Sequence, residues 1–369
     1  MEASYDLIVV GAGPAGLAAA SHAHDCGSSY VLLEKSDHLS DTIFCYQARK
    51  YVMAEPAPIP LRGAIPFAAG SRESILEAWN DHAQQKGLRV ELSKDVRAIE
   101  RNGAGFRVRT ADGATYAGRN VVLGMGTQGS QRKPNVPGED LPHVEYRLVD
   151  PDAYADRDIL VVGAGDSAIE IALALADANR VALVVRSPEI LRAKESLTRE
   201  VLTRAGNGSL TVYYSTTLRA IHPDVVDLNV RGEVVRVPAN HIFLKLGADP
   251  PRKFFESVGI AYTGPGADAA PVLSQNYETS VPGLFLIGAA SGRDLIKSSM
   301  NQGWEVVEHL EGRPVEPADE QLLREKLPFL EGSVFERIRQ LQEKIPLFGA
   351  ASDEQIREML LSTSVRDYA

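Results

Sequence analysis

Asp6-Leu7-Ile8-Val9-Val10-Gly11-Ala12-Gly13-Pro14-Ala15-Gly16-Leu17-Ala18-Ala19-Ala20 decides the fold. Leu7 to Val10 is an unbroken apolar run, the pattern of a strand buried on both faces of a parallel sheet. A GxGxxG turn follows, and then a helix-forming run. Gly11 permits the tight turn, Gly13 lets the backbone approach a pyrophosphate, and Gly16 lets helix and strand pack closely. The start of the helix offers free N–H groups and a partial positive charge to phosphates. The next apolar strand, Tyr30-Val31-Leu32-Leu33, ends at Glu34, which is 18 residues past Gly16. An acid at that place accepts a ribose hydroxyl and repels a 2′-phosphate, as FAD or NAD requires. A tight turn without a ligand is the plainer alternative, and the placed acid weighs against it.

The pattern recurs. Asp158-Ile159-Leu160-Val161-Val162 leads into Gly163-Ala164-Gly165-Asp166-Ser167-Ala168, with Ala in place of the third glycine, and Ile169-Glu170-Ile171-Ala172-Leu173 continues as a helix. The second strand, Val181 to Val185, ends at Arg186 and not at an acid, and Arg192 lies six residues on. A guanidinium there pairs bidentately with a 2′-phosphate, which favours NADPH over NADH. The alternative is that Arg186 and Arg192 are ordinary solvated charges. Two such sites predict an α/β chain with two Rossmann-like dinucleotide-binding domains, one for a resident flavin and one for a visiting hydride donor.

The 369 residues have 44% hydrophobic side chains, enough for two cores, and a formal net charge of −10. That charge disfavours nucleic acid or an anionic membrane as partner. No apolar run is long enough for a transmembrane helix, and the start of the chain lacks the basic region of a signal peptide. A soluble, cytoplasmic protein is expected. The two cysteines, Cys26 and Cys45, form no CxxC pair, so neither a disulfide framework nor a zinc site follows from cysteine spacing.

The two glycine motifs together resemble the thioredoxin-reductase-like flavoproteins, in which an NADPH domain is inserted into an FAD domain. Three further stretches fit in order. They are Asn120-Val121-Val122-Leu123-Gly124-Met125-Gly126-Thr127, Ile242-Phe243-Leu244-Lys245-Leu246-Gly247-Ala248-Asp249-Pro250, and Thr279-Ser280-Val281-Pro282-Gly283-Leu284-Phe285-Leu286-Ile287-Gly288. The resemblance implies FAD contacts at Gly11, Gly13, Pro14, Ala15, Gly16, Glu34, Lys35, Val96, Gly126, Thr127, Gly288, Ala289, Lys297 and Ser298. It implies NADPH contacts at Gly163, Ala164, Gly165, Asp166, Ser167, Arg186, Arg192 and Gly247. It also implies a homodimer.

The departures from that family are informative. Its dithiol relay is excluded, because no CxxC is present. The Asp that follows the late glycine is Ala289 here. Lys297 reads either as a cation stabilising a reduced flavin or as a surface residue at a helix start. Asp41-Thr42-Ile43-Phe44-Cys45-Tyr46-Gln47 resembles the bacilliredoxin-reductase subgroup, but the cysteine typical of that subgroup's glycine motif is Ala15. Cys45 reads as a charge-transfer thiol near flavin or, more commonly, as an inert packed thiol.

The implied division is an FAD domain over 1–127 and 247–312, an NAD(P)H domain over 128–246, and a helical tail over 313–369. The Pro-rich stretch Glu55 to Arg62 reads as an ordered loop, a wall for the flavin, an acceptor site or mere packing. A helix is predicted over Arg72 to Lys86, and a hairpin through Asp112-Gly113. The tail segments Ile345-Pro346-Leu347-Phe348, Ser352 to Ile356 and Val365 to Ala369 resemble the lead-in to cyclic-nucleotide-binding domains. That resemblance implies the N-terminal part of a longer protein, the alternative being a terminal helical hairpin for dimer contacts.

The leading functional expectation is an FAD-dependent NAD(P)H oxidoreductase, with a disulfide, a ferredoxin-like protein or an appended domain as acceptor. A low-turnover redox-sensing flavoprotein and a flavin monooxygenase are the alternatives. The link Gln128 to Asp150 lacks the FxG of the monooxygenases.

Overall fold

A computed structural model of the chain describes residues 4–127, 130–249, 251–266, 269–349 and 351–363. These fall into two compact units. One comprises 1–44, 51–129 and 250–369, the other 45–50 and 130–249.

The first unit is built on the strand Ser4–Val10. It pairs in parallel with Tyr30–Leu33 on one side and Thr115–Leu123 on the other, and Val90–Glu91 extends the sheet beyond Tyr30–Leu33. On its other edge the strand Thr115–Leu123 serves two further partners. Its first half forms an antiparallel hairpin with Gly105–Thr110, and its second half pairs in parallel with Leu284–Leu286. Ile8, Val9, Val31, Leu32 and Val122 are fully buried, as their unbroken apolar pattern requires.

Small residues let the sheet be covered closely. The helix Pro14–Asp25 packs against the helix Ile296–Leu310, and at the crossing a Cβ on Gly303 would fall 2.1 Å from the Ala15 carbonyl oxygen. The predicted helix Arg72–Lys86 forms, capped by Ser71, and it buries Ile75, Trp79 and Ala83.

The second unit has its own five-stranded parallel sheet, in the order Val144–Glu145, His241–Leu244, Asp158–Val162, Arg180–Val184, Thr211–Tyr213. A three-stranded antiparallel sheet, Thr216–Ile221, Val225–Val230 and Glu233–Pro238, packs its apolar side onto this one through Ile221, Val226 and Leu228. Residues 45–50 group with this unit. The Ala48 N–H donates to the Val149 carbonyl at 2.7 Å, and Lys50 pairs with Glu170 at 2.7 Å. The linear sequence shows no sign of this excursion, because the contacts join residues about 100 positions apart.

The tail is helical over Glu320–Lys326, Val334–Lys344 and Asp353–Ser362. Its apolar stripe, Leu323, Leu327, Val334, Ile338, Leu341, Ile356 and Leu360, closes a core around Ile59 of the Pro-rich loop. The tail is thus part of the first unit's packing. The segment Val365 to Ala369 lies outside the described residues. Among those residues, no helix is long and apolar enough to cross a membrane.

Candidate functional site

The glycines of the two turns differ in what requires them. A Cβ at Gly11, where φ is +97°, would lie 2.6 Å from the Gly124 carbonyl oxygen, and one at Gly16 would lie 1.9 Å from the Gly11 oxygen. The protein's own packing therefore explains both. Gly13 has φ −73° and ψ −177°, which any residue adopts, and the nearest atom to an added Cβ is 3.9 Å away. Gly165 repeats this, with φ −91°, ψ 171° and nothing within 4 Å. Neither conformation nor packing calls for glycine at these two places. What its absence of side chain provides is open backbone at the start of a helix.

The helices that follow are also left without side-chain caps. Pro14–Asp25 and Asp166–Leu175 begin on Gly13 and Gly165 with no capping hydrogen bond, as do Glu195–Gly206 and Ile296–Leu310 on Lys194 and Leu295, whereas three other helices begin on capping Ser71, Ser333 and Ser352. Two helix starts thus combine N–H groups lacking a side-chain acceptor with a face that a Cβ would obstruct. Both suit a pyrophosphate.

Around the first turn, Glu34 is buried. Its carboxylate accepts from the Ala12 N–H at 2.6 Å and the Ser36 N–H at 2.9 Å. The Ser40 N–H donates to the Ala12 carbonyl at 2.9 Å, so the loop beyond Glu34 folds back over the turn. Val96 is buried with Val10 and Leu33, and Lys35 is exposed. Gly126 and Thr127 are half-buried just beyond Gly124.

The late motif reaches the same turn. A Cβ on Gly288 would stand 3.1 Å from that of Ala15. The Gly288 N–H donates to Gln302 Oε1 at 2.7 Å, and the Ser291 hydroxyl donates to the Gly288 carbonyl at 2.8 Å. Ala289 is half-buried. Lys297 is not the surface residue of the plainer reading. Its side chain is buried, its ammonium donates to the Pro56 carbonyl at 2.7 Å, and burial pushes its pKa below the usual lysine range. Ser298 is buried beside it. The Pro-rich loop is held by the same helix, since Asn301 donates to the Pro60 carbonyl at 3.0 Å and accepts from the Arg62 N–H at 2.8 Å.

In the second unit, the Gly163 N–H donates to the Val184 carbonyl at 3.0 Å, which sets Arg186 two residues from the glycine turn. Asp166 accepts the Lys194 N–H at 2.9 Å, so the whole loop bearing Arg186 and Arg192 is fastened to the turn. Both arginines are exposed, and neither has an ion-pair partner among the described residues. Ala164 packs half-buried on the core, Ser167 is exposed in the first turn of its helix, and the Gly247 carbonyl accepts the Arg132 N–H at 3.0 Å.

Cys45 groups with the second unit. It is half-buried in the second unit, where Lys245 has Lys50, Arg147, Cys45 and Glu170 as its ionisable neighbours. Burial first, and then the cations Lys50 and Arg147, push the Lys245 ammonium below its usual range. Sequence reasoning missed Lys245. The available signal was its place at the end of the strand His241–Leu244, beside the strand that feeds Gly163. A cavity of about 560 Å³ opens elsewhere in the first unit, between Pro271–Asn276 and the tail, and no glycine-turn residue lines it.

Residues 8–288 match the family model described as pyridine nucleotide-disulphide oxidoreductase, and the chain belongs to that family. It is 28% identical over 293 residues to a ferredoxin–NADP reductase of Ignicoccus hospitalis, covering 77% of this chain and 89% of that one. It is 24% identical over 296 residues to the bacilliredoxin reductase Bdr of Bacillus subtilis, covering 76% and 88%. A bacillithiol disulfide reductase from Staphylococcus aureus has the same fold, with a TM-score of 0.76 at 21% identity, covering 85% of this chain and 99% of that one. The chain is an FAD- and NAD(P)H-dependent oxidoreductase of thioredoxin-reductase-like type, without a CxxC pair. Family membership implies binding of both cofactors, and the two open helix starts fit them.

Proposed function

We propose that the protein is an NADPH-specific reductase that passes electrons to an external acceptor of the ferredoxin class without a protein thiol. The observation that carries the reading is the contrast between Glu34 and Arg186, each just beyond the strand that follows its glycine turn and helix. Glu34 is a buried carboxylate at the first turn, suited to a ribose diol. Arg186 is an exposed guanidinium at the second, without an ion-pair partner among the described residues and suited to a 2′-phosphate.

Bound at the first turn, FAD would supply the chemistry of hydride acceptance and onward electron transfer. The chain's own part is positioning and electrostatics. Gly13 and Gly165 leave backbone open to the phosphates, with Pro14, Ala15, Gly16, Gly126, Thr127, Gly288 and Ala289 framing the first site. Lys35 and Val96 belong to its adenosine end, and Lys297 and Ser298 to its flavin end. Asp166, Ser167, Arg192 and Gly247 complete the second. The ferredoxin class is favoured because the chain has no dithiol to pass electrons to a disulfide, and because relatives named ferredoxin–NADP reductase recur among those it matches.

A second reading, a low-turnover redox sensor, is favoured only by Ala289. Steady-state assays with NADPH and either a two-iron ferredoxin or a small dye acceptor test the proposal. Ferredoxin reduction that follows NADPH concentration supports it. Dye turnover without any ferredoxin reduction assigns another acceptor, and failure of both leaves the sensor.

A further inference from the structure

The far ends of the two helices that frame the first site carry a cluster that nucleotide chemistry does not use. His22 and Cys26 stand four residues apart, one turn from each other at the end of the helix Pro14–Asp25. Glu308 faces them from the last turn of the helix Ile296–Leu310. His22 Nε2 lies 2.5 Å from Glu308 Oε1 and 3.8 Å from Cys26 Sγ, and all three donor atoms lie within 4.8 Å of one another.

A tetrahedral zinc ion with bonds of about 2.0–2.3 Å needs donor atoms about 3.3–3.6 Å apart. The observed spacings bracket that distance, so side-chain adjustments of about 1 Å suffice. Thiolate, imidazole and carboxylate together select a zinc-class ion over magnesium or calcium, which prefer all-oxygen sites. The imidazole is already oriented, because it stacks on Trp304 with ring centroids 4.7 Å apart.

The cluster already attracts a cation. Arg313 donates through Nε to both Glu308 oxygens at 3.0 Å and through Nη2 to Cys26 Sγ at 2.8 Å. Arg313 enters from beyond the turn at Gly312 and is 45% exposed, whereas the His22 and Glu308 side chains are 13% and 11% exposed. The guanidinium can therefore withdraw into water while the three donors stay in place.

We propose that His22, Cys26 and Glu308 bind a zinc-class divalent metal ion, with water as fourth ligand and Arg313 as the competing cation. Binding involves no change of oxidation state. The Cys26 thiol gives its proton to solvent, and the proton that His22 Nε2 shares with Glu308 is also released to water, so that the ring keeps its proton on Nδ1. The sulfur, the freed imidazole nitrogen and the carboxylate oxygen form bonds to the metal, and Arg313 leaves the site. The metal would then pin together the far ends of the two helices whose near ends carry Gly13 and Lys297. The inference is independent of which acceptor the reductase serves.

The test is titration of the full chain with Zn²⁺ against a chromophoric chelator, and with Co²⁺, whose thiolate complexes absorb at longer wavelength than flavin. The expected result is one equivalent per chain, with thiolate–cobalt absorption. C26S and H22Q should weaken binding by more than ~100-fold, and R313Q should tighten it at least ~10-fold. C26S is nearly isosteric and R313Q alters an exposed residue, so an unchanged thermal midpoint separates a lost ligand from a lost fold. The proposal is overturned if no stoichiometric binding occurs, if C26S and H22Q bind as the parent does, or if R313Q leaves affinity unchanged.

Discussion

The Gln302 side-chain amide donates to Glu354 at 3.0 Å while its oxygen holds the Gly288 N–H at 2.7 Å, so one buried residue ties the tail to the late glycine motif. Around this pair lies a network of charges. Arg293 pairs with Asp319 at 2.7 Å and with Glu354, and Arg357 pairs with Asp319 at 2.7 Å and Glu320 at 3.0 Å. The Leu295 N–H, at the start of the helix Ile296–Leu310, donates to Glu358 at 3.1 Å.

Removing one member of such a network strands its partners in the interior. Arg293→Met should therefore destabilise the protein by about 3–5 kcal/mol. Urea unfolding followed by tryptophan fluorescence checks this. A change below about 1 kcal/mol would mean that the tail is not integral to the first unit.

Glu305 is fully buried, hydrogen-bonded by the Tyr277 hydroxyl at 2.5 Å and the Ala318 N–H at 2.7 Å, with Arg62 at 3.3 Å and Asp319 also nearby. Burial, the largest cause, raises its pKa from 4.5 to about 7. Between those values the native state binds more protons than the unfolded chain, so stability should fall as pH rises from 4.5 to 7. The loss should be about 3 kcal/mol from this group. Glu308 acts in the opposite sense and only below 4.5, where its lowered pKa applies. Glu305→Gln should flatten the slope across the higher window, as measured by denaturant midpoints at several pH values.

Gly165→Val should leave stability within about 0.5 kcal/mol of the parent, since the backbone is ordinary and the space open. It should nonetheless abolish NADPH binding. Gly13→Val should do the same for FAD. Calorimetric titration beside a melting curve separates the two effects.

Arg186→Ala should raise KM for NADPH by about 10- to 100-fold, from the ~1.5–3 kcal/mol of a charge-assisted hydrogen bond. KM for NADH should hardly move. Equal effects on both cofactors would remove Arg186 from the 2′-phosphate.

Much of the fold was legible because its signals are local. Leu7 to Val10 and Ile159 to Val162 are unbroken apolar runs, and each is followed by a glycine turn and a helix, so strand, turn and helix all read from neighbouring residues. Glu34 and Arg186 were legible because each stands at a fixed place past a strand. The excursion of residues 45–50 was not, because its partners Val149 and Glu170 are remote in sequence. Nor was the burial of Lys297, which depends on the Pro56 carbonyl about 240 positions earlier. The tail read as helical from its apolar spacing. Its attachment could not be read, since the charges of Arg293, Asp319, Glu354 and Arg357 look like those of any solvated surface until packing brings them together.

The central claim is most directly tested by the absorbance spectrum of the purified protein, reconstituted with FAD, before and after anaerobic NADPH and, separately, NADH. The account predicts flavin bands that bleach with NADPH and more slowly with NADH. A protein that takes up no FAD, or whose bound FAD is bleached by neither nucleotide, would contradict it.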